Sequence, residues 1–245
     1  MLVKKWCIAL AFLTFSNFLK AQLPTKSIEV GLHAGTLIYQ GDISNSFVGS
    51  TNRLTPAFGL HISKPINNQL AWRVQIFKGT VADDDALYSN PAYKQLRNFS
   101  FKTRITDVAA MLVWKPFGEQ LDNMYYQKKI IPYAFAGVGF SKVAIARSYA
   151  NTDPSVFVGK DDLQRDIDQT LPKVLPIIPL GVGVKYKFAT NWALHAEGLY
   201  RFTDTDYLDG FSYAANPNAK DNYYSATIGI SYTFLSNKYK CPSVR

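Results

Sequence analysis

After residue 27, apolar side chains alternate with small or polar ones in eight segments that are separated by turn-rich stretches. The sixth segment is the clearest, because Ile178, Leu180 and Val182 alternate with proline and glycine and the pattern continues to Phe188. The fourth segment is apolar on both faces between Val108 and Trp114, so its facing stays open. No helix of useful length is predicted between the segments. The eight predicted strands begin near Ile28, Phe58, Leu70, Phe101, Ile131, Ile178, Trp192 and Tyr224.

The face opposite the apolar one carries mostly glycine, alanine and serine, with a few isolated charges and histidines. A soluble barrel or sandwich is the alternative, but its outward face should carry many Lys, Glu and Thr residues. Small residues and sparse ion pairs instead suit the narrow interior of an eight-stranded barrel, which side chains just fill. We therefore predict an all-β, antiparallel up-and-down transmembrane β-barrel with long external loops. The predicted polar network of its interior consists of Glu29, His33, His61, Arg73, Lys185, His195, Glu197 and Arg201.

Aromatic residues near the strand ends are typical of the girdles of outer-membrane barrels. The predicted girdle residues are Tyr39, Tyr133, Tyr186, Phe188, Trp192, Tyr200, Phe202, Tyr232 and Phe234. The links also alternate in length, as expected for short periplasmic turns and long external loops. Long links are predicted at about 39–56, 79–98, 147–176 and 203–222, and shorter ones at 64–69, 116–130 and 189–191.

The first residues have the composition of a secretory signal peptide. A basic start, Lys4 and Lys5, precedes an apolar run from Trp6 to Leu19, and Ala21 supplies a small residue at the cleavage point. A transmembrane anchor is the alternative, but it needs about 20 apolar residues, and Lys20 interrupts the run. We assign residues 1–21 to the signal peptide, 22–235 to an outer-membrane barrel and 236–245 to a C-terminal tail.

Removal of this leader leaves 24 of the 27 cationic side chains against 18 acidic ones, a net charge of +6. The cations are scattered, so no nucleic-acid partner is indicated, and anionic lipid headgroups are the better match. Cys241 would be the only remaining cysteine, which excludes an intramolecular disulfide.

Candidate chemistry in the loops is weak. The aspartates of 83–85 and 161–168 are interpreted as solvated loop residues, and the acids of "DTDYLDG" at 204–210 are out of step with a calcium loop. His195 and Glu197 share the interior face, but no serine accompanies them in that strand. We therefore predict no catalytic residues, no metal, no cofactor and no small-molecule substrate. Because an unpaired charge in a narrow lumen is costly, the interior charges should pair and close the pore.

The segment "RFTDTDYLDGFSY" at 201–213 divides at the barrel rim. Arg201 should end an interior row, and Phe202 should end the outward one. The carboxylates should then accept hydrogen bonds from backbone amides in tight turns, with Asp204 or Asp206 capping Arg201.

Several segments together resemble one family, the PorG-like outer-membrane barrels associated with type IX secretion and gliding motility. They are "IEVGLHAGTLIYQGDIS" (28–44), "TPAFGLHISKPINNQLAWRVQIFKG" (55–79), "RNFSFKTRITDVA" (97–109), "IPYAFAGVGF" (131–140), "IPLGVGVKYKF" (178–188) and "HAEGLYRFTDTDYLDGFSY" (195–213). The most specific piece is a signature loop formed by Thr205, Asp206, Tyr207, Leu208 and Asp209. Family members often carry Asp-Asp-Val where this chain has Asp209-Gly210-Phe211, and residues 147–176 match loosely, which leaves a paralogue with another role open.

The resemblance implies a non-enzymatic envelope protein that attaches a periplasmic ring, made of a lipoprotein and its partner, to the outer membrane. The periplasmic turns and the tail, with Lys238, Tyr239 and Lys240, would then be the binding surfaces. An unstructured end is the alternative for the tail. The rival function is a generic small barrel that acts in adhesion or envelope stabilisation through its external loops, and an enzyme acting on lipid comes third.

Overall fold

A computed structural model describes residues 27–41, 43–44, 49–50, 53–119, 129–157, 161–215 and 220–234. The predicted signal peptide and the tail with Lys238, Tyr239 and Lys240 lie outside these residues. In the part of the chain that is described, none of the helices has the length and apolar character needed to cross a membrane.

Eight antiparallel strands close into a barrel in which each strand pairs with its neighbours in sequence and β1 pairs with β8. This confirms the predicted eight-stranded up-and-down barrel. The strands are β1 (Ile28–Gln40), β2 (Thr55–Pro65), β3 (Leu70–Asp84), β4 (Ser100–Trp114), β5 (Ile130–Ser148), β6 (Val174–Lys187), β7 (Trp192–Thr203) and β8 (Asn222–Phe234).

The alternation in sequence decides which side chains face inward, since successive residues of a strand point to opposite sides of the sheet. On β1, Leu32 is 59% exposed on the outer wall, whereas its neighbour His33 is 3% exposed in the interior. The facing of β4, which the sequence left open, is settled in the same way: Asp107 and Met111 point inward, and Val108 and Leu112 point outward.

The links alternate in length as predicted except at 115–129, whose 15 residues equal the length of 85–99 and exceed that of 41–54. We call the end with the links 41–54, 85–99, 149–173 and 204–221 the long-loop end, and the end with 66–69, 115–129 and 188–191 the short-turn end. Two short α-helices, α1 (Tyr93–Arg97) and α2 (Asp162–Asp168), and two 3-10 turns (Asp85–Leu87 and Pro154–Phe157) lie in the long loops.

Most of the predicted girdle aromatics face outward at the strand ends, including Trp192, Phe202 and Phe234. The prediction is wrong for Tyr39 and Tyr133, which are almost completely buried inside the barrel. Both phenols hydrogen-bond to interior carboxylates, so their hydroxyl groups explain the inward facing.

The interior has two differently filled parts. Toward the long-loop end, side chains such as Leu37, Phe77 and Ile105 form an apolar core together with residues of the loops. Toward the short-turn end, charged and imidazole side chains fill the lumen. The barrel is therefore packed along its length, and its polar part holds the three histidines and most of the interior charges.

Candidate functional site

Three imidazoles from three strands meet in the barrel interior. His33 Nε2 lies 2.6 Å from His61 Nδ1, and the ring centroid of His195 lies 5.8 and 5.7 Å from those of the other two. Glycines make room for these rings: a Cβ at Gly31 would come within 2.2 Å of His61, and one at Gly229 within 2.6 Å of His33. The inward-facing glycines thus leave the space that the histidine rings occupy.

The imidazoles lie between two buried carboxylates. His61 Nε2 is 3.4 Å from Glu29 Oε1, and His195 Nε2 is 3.8 Å from the same oxygen. On the other side, His33 Nδ1 is 3.8 Å from Glu197 Oε2. The five side chains therefore form one continuous polar layer.

Each of these carboxylates also has a cationic partner. Lys185 pairs with Glu29, and Arg73 Nη1 donates to Glu197 Oε1 at 2.7 Å. Tyr133 donates its hydroxyl hydrogen to the same oxygen of Glu197 at 2.5 Å. All these groups are buried, where a carboxylate without a partner would be costly. Seven of the eight residues predicted for the interior network thus meet in one layer.

Glu119 closes this layer from the short-turn end, and the sequence analysis missed it. Its carboxylate pairs with Lys115, with Lys185 at 2.8 Å and with Lys187 at 2.7 Å, and its backbone N–H donates to Asn68 O at 2.6 Å. Burial acts to raise the pKa of Glu119, but the three lysine charges outweigh it and hold that pKa well below its usual range. The only feature of the sequence that could have indicated this role is the position of Glu119 as an acidic residue in the longest link of the short-turn end.

Arg201 is the eighth predicted residue, and it lies apart from this layer, nearer the long-loop end. It is 1% exposed, and its Nε is 2.6 Å from Asp107 Oδ2. Tyr223 donates its hydroxyl hydrogen to the other oxygen of Asp107 at 2.8 Å. The expectation that Asp204 caps Arg201 is wrong, because Arg201 pairs with Asp107 on β4 and Asp204 pairs with Lys220. A cap by Asp206 stays a prediction.

The signature loop, residues 205–209, folds back into the mouth of the barrel. Leu208 and the following Phe211 are completely or almost completely buried in the apolar core. The ring of Phe211 stacks on that of Phe99 at a centroid distance of 4.0 Å, and Thr103 donates its hydroxyl hydrogen to Leu208 O at 2.7 Å. The loop is therefore part of the packed interior.

Asp166 on α2 holds the continuation of this loop. Its carboxylate accepts from the backbone N–H of Ser212 and of Tyr213, each at 3.1 Å, and from that of Ala214 at 2.8 Å. The hydroxyl of Tyr207 donates to the same carboxylate at 3.3 Å. Burial, with the Asp166 charge adding to it, raises the pKa of Tyr207 to about 12.

Asp209 and Asp221 anchor the loop from the other side. The hydroxyl of Tyr39 lies 2.8 Å from Asp209 Oδ2 and 2.6 Å from Asp221 Oδ1. Asp209 Oδ1 accepts from the N–H of Phe211 at 2.8 Å, and Asp221 Oδ2 from that of Leu208 at 3.0 Å. The prediction that loop carboxylates bind backbone amides is confirmed for these residues.

The expectation that the remaining loop aspartates are solvated is wrong for Asp83, Asp85 and Asp166, which are all fully buried. Asp85 forms a two-point ion pair with Arg97, at 2.7 and 2.9 Å, and Tyr88 donates to Asp83 at 3.0 Å. These carboxylates hold the long loops over the mouth of the barrel.

Catalytic chemistry has one geometric candidate, and it involves a serine on the neighbouring strand. Ser231 Oγ is 2.7 Å from His195 Nε2, while His195 Nδ1 is 3.0 Å from the Tyr133 hydroxyl and 4.0 Å from Glu197 Oε1. This has the order of a nucleophile, base and acid. However, Ser231 is 1% exposed, so its hydroxyl faces the packed lumen and not solvent. Among the described residues, no three His, Cys, Asp or Glu side chains are grouped as metal ligands.

Comparison with known proteins gives one family match. A model of the family described as "Domain of unknown function (DUF6089)" matches residues 4–243. No curated protein matches the chain.

The barrel also resembles solved structures. Neisserial surface protein A is 14% identical with a TM-score of 0.49, and the likeness covers 84% of this chain and 97% of that one. The attachment invasion locus protein Ail of Yersinia pestis is 11% identical with a TM-score of 0.46, covering 85% and 98%. The barrel domain of Pseudomonas aeruginosa OprF is 10% identical with a TM-score of 0.44, covering 86% and 99%. Similarity this distant carries no argument about function.

Proposed function

The chain belongs to the family described as domain of unknown function DUF6089, and we propose that it is a non-enzymatic outer-membrane barrel of the type IX secretion machinery. In this role it links a periplasmic ring, a lipoprotein with its partner, to the outer membrane. The observation that carries the proposal is a barrel with an apolar outer wall and an interior packed from the short-turn end to the long-loop end. Such a barrel is suited to anchoring other proteins in a membrane.

Membrane placement is supported by the outer wall. Leu32, Phe58 and Val138 project outward with 59% to 68% of their surface exposed, and similar residues line the other strands. A strand needs about 9–11 residues to cross a bilayer at a tilt of about 45°, and all eight strands are at least 11 residues long. Closure leaves no unpaired strand edge in the lipid.

An anchoring role is supported by the filled lumen. At the short-turn end, Glu119 and its lysine partners fill the lumen. The layer of three histidines lies next to them, and Leu208 and Phe211 fill the mouth at the long-loop end. Among the described residues, these layers fill the lumen with side chains, which supports a barrel without an open pore. The function of the protein should therefore lie on its outer surfaces.

The sequence resemblance to the PorG-like barrels supports the secretion role and directs attention to the periplasmic side, which we identify with the short-turn end. Phe117 in the link 115–129 is 65% exposed there. Phe117 would give a ring protein an apolar contact. The tail with Lys238, Tyr239 and Lys240 follows β8 in the sequence and would add basic side chains.

The test is the set of proteins that copurify with a tagged copy, at native expression, from detergent-solubilised membranes. We expect ring proteins with the full chain, and less of them with Phe117→Ser and with a chain that lacks residues 236–245. Leu87→Ser is the matched control, because Leu87 is an exposed apolar residue of the long-loop end. Absence of ring proteins from every sample would contradict the proposal.

One observation favours adhesion as a second candidate. Leu87, Tyr93 and Leu96 are all about half exposed around α1, so the long-loop end presents apolar side chains to the cell exterior. Surface proteolysis of the long loops separates the two functions: intact secretion supports ring attachment, whereas lost adhesion supports the rival. Turnover of lipid A or phospholipid by the purified protein, abolished by Ser231→Ala, would instead revive an enzyme.

A further inference from the structure

Four cationic side chains project outward from three adjacent strands near the long-loop end. Lys78 on β3, Lys102 and Arg104 on β4 and Lys142 on β5 are all exposed on the outer wall. Lys78 and Lys142 flank Thr106 in one row of the sheet, and Arg104 and Lys102 follow in the next two rows toward the loops. We call these four residues the basic wall patch.

The charges of this patch are not balanced by acids of the same wall. On β3, β4 and β5, Asp84 is the only carboxylate that faces outward between the Lys78 row and the long-loop end. Asp84 already pairs with Arg53 at 3.1 Å. Within the described residues, none of the four cations forms an ion pair. The patch therefore has room for an external anion.

An apolar surface begins directly below the patch. Ile76, Val108 and Phe140 form the next row toward the short-turn end, and all three are strongly exposed. Eight residues separate Leu70 from Lys78, so a rise of about 3.3 Å per residue and a tilt of about 40° place Lys78 about 20 Å along the membrane normal. That height is close to the upper edge of an apolar band of about 25 Å. The patch thus lies at the level of lipid headgroups.

The opposite wall has a different composition at its long-loop end. Tyr200 and Phe202 on β7 and Tyr224 on β8 face outward there, and their rings pack on each other. Outer-membrane barrels usually carry a girdle of aromatic side chains at the level of the lipid headgroups. The cations of β3–β5 replace it on one side only, which indicates a local binding surface.

We propose that the basic wall patch binds a membrane lipid whose saccharide headgroup bears two phosphates. Each phosphate monoester carries a charge of about −1.5 to −2, so two of them balance four cations, whereas a phosphodiester lipid balances one. Strands are spaced by about 4.8 Å, which puts the Cα atoms of Lys78 and Lys142 about 10 Å apart. Thr106 and Ala144 lie between the cations and have small side chains, so they leave room for a broad headgroup.

The acyl chains of this lipid would lie on the apolar row of Ile76, Val108 and Phe140, and its phosphates would accept hydrogen bonds from the cations above. The binding surface depends on the proposed placement of the barrel in the outer membrane, with the long loops outside. It does not depend on a periplasmic partner.

The test measures lipid binding by the full chain, purified from membranes and placed in phosphatidylcholine nanodiscs. Diphosphoryl lipid A is the probe, and monophosphoryl lipid A, phosphatidylglycerol and inorganic phosphate are compared with it by native mass spectrometry. We expect retention of diphosphoryl lipid A above that of the other three. Equal retention of phosphatidylglycerol, or displacement of lipid A by millimolar inorganic phosphate, would overturn the proposal.

The variants Lys78→Gln and Lys142→Gln, combined, should weaken the binding of diphosphoryl lipid A about thirtyfold, given the usual effect of a cation at a membrane surface. Lys64→Gln combined with Lys129→Gln makes the same charge change at the short-turn end and should leave binding unchanged. Lys78→Arg with Lys142→Arg keeps the charges and should bind like the natural protein. Equal loss in both Gln pairs, or none in either, would contradict a local surface.

Failure of this inference is distinguishable from failure of the proposed function. Ring proteins that copurify with a barrel lacking lipid preference refute the patch alone, and a lipid-binding barrel without ring proteins refutes the secretion role alone.

Discussion

Asp166→Ala tests whether the long loops are folded into the mouth of the barrel. The carboxylate of Asp166 accepts from three consecutive backbone N–H groups, at 3.1, 3.1 and 2.8 Å, and is itself fully buried. A hydrogen bond to a charged group contributes about 1.5–3 kcal/mol. Three such bonds would sum to about 4.5–9 kcal/mol. Since water can enter the loop and replace part of this once the carboxylate is gone, we expect the docked conformation of the loop to be destabilised by about 3–5 kcal/mol.

The assay is amide hydrogen exchange at residues 212–214 in nanodiscs. A loss of 3 kcal/mol or more corresponds to an increase of at least about 100-fold in the exchange rate. Asp168→Ala is the matched control, because Asp168 lies on the same helix with the same charge but is exposed. Asp166→Asn, which keeps one carbonyl oxygen as an acceptor, should fall between the two. If Asp166→Ala and Asp168→Ala exchange alike, the carboxylate does not hold the loop and our account of the closed mouth is refuted.

Three further predictions follow from the same structure. Glu119→Gln should destabilise the barrel by about 3 kcal/mol at pH 7, because it leaves the buried Lys115 and Lys187 without their charge partner. Since folding lowers the pKa of Glu119 well below its usual range, its contribution is fully present above the unfolded value of about 4.3 and is lost only as the pH falls toward the folded value. The difference between the urea-unfolding midpoints of variant and natural protein should therefore begin to shrink below about pH 4 and keep shrinking at lower pH. Because folding raises the pKa of Tyr207 to about 12, the protein should lose stability as the pH rises from about 10 to 12. Tyr207→Phe should make the unfolding midpoint fall less steeply over this range. Planar bilayers containing the protein should show no large open channel, and steady nanosiemens conductance would contradict the filled lumen.

The barrel could be predicted from the sequence because the alternation of apolar and polar residues indicates both a strand and the direction in which its side chains point. The small, polar face of each strand also differs clearly from the apolar one. The sequence placed Glu29, Arg73 and Glu197 in the interior for the same reason. It failed for Tyr133, which belongs by size to an aromatic girdle but by its hydroxyl to the interior network. The alternating pattern therefore predicts on which side of the sheet a residue lies only when its side chain suits one side and not the other.

The residues that pair with the interior charges could not be predicted from the sequence. Glu119 comes from a link, Asp107 from a strand with two apolar faces, and Ser231 from the strand beside His195. Each contact depends on the register between strands or on how a link folds back. The local pattern contains neither.

By itself, the sequence determined the strand number, the up-and-down order and the approximate positions of the links, since these depend on side-chain type at successive positions. Only the tertiary structure decided which charges neutralise one another, that the long loops fill the mouth of the barrel, and that four cations of β3–β5 gather on one wall. Those features arise from closure of the sheet, which fixes the register of every strand pair and brings residues distant in sequence into one layer. A single strand, whatever its pattern, cannot specify its neighbour's register.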